Sequence, residues 1–155
     1  MIPNLFKKIP IPSKIPKELD DKIKEFSKSK DKEEFLKKSF YYIVNNWGGS
    51  RINLFCKFSR LYQKDLNKII QTKGYMHCTT MNYLLRIMAV KSGLFNDKDI
   101  QIKLTNSWYI APHRYLEIKV SDKKKIYLDP WNYQFGINYG QYGSGFDSIK
   151  FNPIR

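Results

Sequence analysis

A thiol, an imidazole and a carboxylate stand in that order in this chain, at Cys78, His113 and Asp129. These are the parts of an activated sulfur nucleophile. The thiol needs a base to become a thiolate, and the base needs a partner that fixes its tautomer. Cys78 falls where a helix begins. Met81, Leu84, Leu85, Met88 and Ala89 follow it at the spacing of one helical face, and Gly93 is a natural stop. At such a start, unpaired backbone N–H groups and a partial positive charge favour the thiolate. The same N–H groups can receive an oxyanion when the sulfur attacks a carbonyl.

Two strands must carry the other two groups. His113 opens a strand expected over 113–120, and a second, 124–129, ends in Leu128-Asp129-Pro130-Trp131. Leu116, Ile118 and Val120 share one face of the first strand; Ile126 and Leu128 share one face of the second. Directly opposed residues of an antiparallel pair point to the same side. A three-residue loop, Ser121-Asp122-Lys123, sets Leu116 opposite Leu128 and Ile118 opposite Ile126. His113 and Asp129 then lie together on the other face as diagonal neighbours, about 7–8 Å apart by Cα. A shift of one residue would send them to opposite faces.

The rest of the chain reads as support. Prolines 3, 10, 12 and 16 keep residues 1–16 extended as an N-terminal arm. Helices are expected over 17–30, over 32–46 with Asp31 as cap, and over 54–72 in one piece or two, where Cys56 reads as a packing residue. Gly74 breaks the chain before Cys78. Ile100, Ile102 and Leu104 alternate as a strand, and the aromatic, glycine-rich tail 132–155 reads as ordered loop. Helices come first and strands second, so the fold class is α+β, in one domain spanning residues 1–155.

Composition narrows the chemistry. Two cysteines and two histidines make neither a disulfide framework nor a zinc site, so neither metal nor cofactor is expected. The net charge of +14 comes from lysines spread along the chain without a nucleic-acid-binding signature, so specific nucleic-acid binding is not expected. No apolar run reaches the length of a membrane span, and Lys7 and Lys8 sit where a signal peptide needs apolar residues. A cytoplasmic location is the expectation. Gly136 to Gly145 lacks phosphate-loop spacing. His77, Tyr109, Trp131 and Tyr133 flank the three reactive groups and are candidates for lining a substrate groove.

Cys78 opening Thr79-Thr80-Met81-Asn82-Tyr83-Leu84-Leu85, His113 in Pro112-His113-Arg114-Tyr115-Leu116, and Asp129 in Leu128-Asp129-Pro130 resemble the transglutaminase-like superfamily of papain-type cysteine enzymes. The resemblance runs from 35 to 131. It implies a nucleophile-bearing helix packed on an antiparallel β-sheet after N-terminal helices, and a Cys-His-Asp triad. It also implies an upstream indole N–H in the oxyanion hole, for which Trp47 and Trp108 are the candidates. The implied activity is cysteine-dependent hydrolysis of an amide or peptide bond through a thioester. Two alternatives stay open: acyl transfer to an amine by the same triad, and a binding domain with a vestigial triad. A basic protein that binds anionic polymers is a third reading of the charge. Oligomeric state is not legible.

Overall fold

The computed structural model describes residues 8–50, 65–107, 111–144 and 149–151. Mixed helix and antiparallel sheet make the fold α+β. Helix α1, Lys17–Phe26, starts behind Pro16 and buries Leu19 and Ile23, one turn apart. Helix α2, Lys32–Asn46, is capped as expected: the Asp31 carboxylate accepts the Glu34 N–H at 2.8 Å. Phe35, Leu36, Phe40 and Ile43 are its buried stripe. Strand β1, Trp47–Gly48, follows directly. Of the helix expected over 54–72, the described part is α3, Leu66–Gln71, capped by Asp65; Cys56 lies outside the described residues. Strand β2, Gly74–Tyr75, pairs in parallel with β1, and Gly74 takes the left-handed φ of 98° that its lack of Cβ permits.

Helix α4, Cys78–Lys91, is the axis of the core. One apolar face was expected, yet every residue from Thr80 to Ala89 is buried. The reason is that its polar residues find distant partners. Asn82 donates to the Arg114 carbonyl at 2.8 Å, and Arg86 pairs with Asp97 and donates to the Ile9 carbonyl. The N-terminal arm is part of this enclosure. Over residues 8–16 it is non-helical, as its prolines require, and Ile9, Ile11 and Ile15 pack on the core. Tyr83 and Lys91 donate to its Pro10 and Ser13 carbonyls at 3.2 and 2.9 Å.

The sheet has the order β3-β4-β5, with β3 Ile100–Ser107, β4 Ala111–Ser121 and β5 Lys124–Leu128, all antiparallel. Leu116 faces Leu128 and Ile118 faces Ile126, the register that the apolar alternation demanded. The turn differs from the expectation. Ser121 pairs with Lys124, leaving only Asp122 and Lys123 between strands, and the register shifts between Lys119 and Ser121. Val120 is thus the extra residue of a β-bulge. A two-residue turn alone would have reversed the faces; the bulge restores them.

The tail holds more regular structure than a loop. Pro130–Phe135 forms a 3₁₀ helix that Gly136 ends at φ 90°, and β6, Tyr142–Ser144, pairs with β7, Ile149–Phe151. Tyr142 stacks on Tyr115 of β4, ring centroids 4.2 Å apart, so β6 of the tail packs against the sheet.

Candidate active site

β4 and β5 bring His113 and Asp129 together as the register requires. His113 Nε2 and Asp129 Oδ1 are 2.8 Å apart, and both side chains are buried. The face they share is not the apolar one, yet both side chains are enclosed there. Trp131 lies against the imidazole, ring centroids 5.5 Å apart. In turn Gly49 lies against Trp131 so closely that a Cβ there would stand 2.5 Å from the Trp131 carbonyl oxygen. Only glycine allows that approach.

Asp129 is tied down from several sides. Oδ2 accepts from Asn132 Nδ2 at 2.8 Å and from the Gly143 N–H at 2.9 Å. Oδ1 also accepts the Asn132 N–H at 3.3 Å, which caps the 3₁₀ helix. One carboxylate thus orients the imidazole and anchors the tail. Asn132 and Gly143 were invisible to sequence reasoning as site residues. The Asp-x-x-Asn spacing was the one available signal for Asn132, through its capping geometry.

Cys78 arrives from the other side. β5 ends opposite Leu116, so β4 runs past it. On that stretch Arg114 turns both backbone groups to α4: its N–H donates to the Cys78 sulfur, and its carbonyl accepts from Asn82. The sulfur is also hydrogen-bonded to the His113 imidazole. Asp129 engages Nε2, which leaves Nδ1 to face the sulfur. Cys78 forms no disulfide and is partly exposed.

The electrostatics follow from these contacts. Burial alone would push the Cys78 thiol up. The hydrogen bond and charge of His113, with the Arg114 N–H, outweigh it and hold the thiol below its ordinary value. For His113, burial would lower the pKa. The Asp129 carboxylate, and after it Cys78, raise it to about 10. Both shifts favour the thiolate–imidazolium pair. Tyr75 is pushed up to about 12, by burial first and then by the charge of Cys78, so its hydroxyl keeps its proton beside the sulfur.

The remaining candidates divide. Trp47 does not supply an oxyanion donor: it is buried and its indole N–H donates to the Thr72 carbonyl at 2.7 Å. Trp108 and Tyr109 lie outside the described residues. His77 caps α4 and is buried, its Nδ1 3.0 Å from the Tyr75 hydroxyl. Tyr133 is turned away, packed edge-on against Phe40 and Tyr41 of α2. Among the described residues no three His, Cys, Asp or Glu side chains gather as metal ligands, and no helix is long and apolar enough to cross a membrane. No family model matches the chain, and no curated protein or solved structure matches it.

Proposed function

We propose that the protein is a cysteine-dependent hydrolase of amide or peptide bonds, with Cys78 as nucleophile, His113 as base and acid, and Asp129 as the group that orients it. The observation carrying this reading is the placement of one imidazole between a sulfur and a buried carboxylate. The thiolate adds to the substrate carbonyl carbon. Cys78 and Thr79 hold the first two positions of α4, where N–H groups have no intrahelical acceptor, and the developing oxyanion is directed there. The intermediate expels the amine, which takes its proton from the His113 imidazolium, and a thioester remains. Water, deprotonated by His113, attacks the thioester, releases the carboxylic acid and restores the thiolate. The transglutaminase-like superfamily performs this chemistry with the same residue order. Amine in place of water would give acyl transfer from the same intermediate.

The test is thiol reactivity. At pH 6.5 iodoacetamide should modify Cys78 about tenfold faster than Cys56, read by peptide mass spectrometry. A thiol of ordinary pKa is only about 1% thiolate at that pH, and the lower nucleophilicity of a more acidic thiolate offsets part of the gain. Equal, slow modification of both cysteines would overturn the reading and leave a vestigial triad.

A further inference from the structure

We propose that the cavity beside Cys78 is the pocket for a substrate side chain, and that it selects one ending in a carboxylate. This rests on the hydrolase reading above and adds its substrate class. The cavity, about 260 Å³, is walled on one side by Lys68, Ile69 and Thr72, at and just after α3. Tyr75, Met76, His77 and Thr80, which bracket Cys78, form the other wall. A drug-sized ligand needs about 300–1,000 Å³, so the space suits one side chain of a larger substrate.

The walls are fixed before anything binds. Trp47 donates to the Thr72 carbonyl, the Met76 N–H donates to the Gly48 carbonyl at 3.1 Å, and the parallel pairing of β1 with β2 holds Gly74 and Tyr75. Trp47 therefore shapes the pocket instead of the oxyanion hole. Preorganised walls spare the ordering cost of binding.

The lining chemistry is one-sided. Ile69 and Met76 are buried apolar surface, suited to an aliphatic stem. Hydroxyls of Thr72, Tyr75 and Thr80 are polar neighbours for its end. Among the described residues Lys68 is the only fixed charge on the walls, and no carboxylate lines them. Neighbouring Lys73 is paired with Glu18 at 3.5 Å, whereas Lys68 has no ion pair among the described residues. A carboxylate on a stem of two methylenes meets both the apolar floor and the ammonium. A cationic side chain meets repulsion.

Acetyl-glutamyl, acetyl-glutaminyl and acetyl-lysyl chloromethyl ketones test this on the intact protein. In each, the sulfur displaces chloride and forms a thioether, so mass spectrometry reads the rate at Cys78. The glutamyl probe should react about fivefold faster than its isosteric glutaminyl partner, the scale of one exposed charge pair. Its lead over the lysyl probe should be larger. With each rate taken relative to the same variant's iodoacetamide rate, Lys68→Glu should invert the glutamyl-to-lysyl order and Lys68→Ala should bring glutamyl and glutaminyl level. Equal glutamyl and lysyl rates in the parent, or an unchanged order in Lys68→Glu, would overturn the pocket assignment while fast iodoacetamide modification upholds the nucleophile. If iodoacetamide shows no preference for Cys78, the hydrolase reading itself fails and takes the pocket with it.

Discussion

Alanine at His113 should cut acyl turnover at pH 7 by two to four orders of magnitude, the usual worth of a positioned acid–base group. A nitrophenyl ester, with nitrophenolate release as the signal, makes the measurement direct. The same change should slow alkylation of Cys78 by iodoacetamide about tenfold at pH 6.5, because the imidazole is what offsets burial and holds the thiol down. The pH dependence gives the sharper test. The thiolate–imidazolium pair exists from the lowered thiol pKa up to about 10, where His113 loses its proton. Parent activity should therefore rise at a pH below that of an ordinary thiol and fall near 10. The alkylation rates of parent and variant should draw together as the pH rises and the variant's sulfur ionises in its turn. A constant ratio at all pH values would mean that His113 merely packs against the site. Stability follows the same pair. His113 is raised above its ordinary value of about 6.5, so its contribution is complete below that pH and is lost as the pH climbs through about 10.

Asp129 should be the most costly side chain to change, because structure and chemistry meet in it. It is fully buried and accepts from His113, from Asn132 twice and from the Gly143 N–H. Asp129→Ala strips all four donors of their acceptor and takes from the buried imidazole the carboxylate that holds it, at about 3–5 kcal/mol. Asn does not repair this. Both carboxylate oxygens accept, and an amide would turn an NH₂ toward donors on one side. For a chain of this size each kcal/mol lowers the melting temperature by about 2–4 °C, so Asp129→Asn should melt roughly 10 °C below the parent and lose its nitrophenyl esterase activity. If Asp129 only shaped the turn before Pro130, Asp129→Asn would melt with the parent and keep its rate.

The site was legible where chemistry followed from alternation. Leu116, Ile118, Ile126 and Leu128 fixed the register, and the register brought His113 and Asp129 to one face before any coordinates. Other features depended on contacts that periodicity does not carry. Asn82 and Arg86 fall outside the apolar stripe of their helix, and periodicity does not announce their burial, because their partners, the Arg114 carbonyl and Asp97, are remote in sequence or belong to the backbone. Trp47 was sought as an oxyanion donor because it is an indole upstream of the thiol. Its N–H was already committed to Thr72, and no local pattern announces a bond spanning 25 residues. The tail looked irregular because its order comes from Asp129 and from stacking on Tyr115.

The bulge at Val120 behaves as a phase corrector. A tight turn left the hairpin half a pleat out of step, and one inserted residue brought the far end back into step, where the carboxylate meets its ring. Whether the reactive groups meet is therefore settled at the hairpin tip, outside the cleft. Length changes there, even by one residue, govern the chemistry more than most substitutions made inside it.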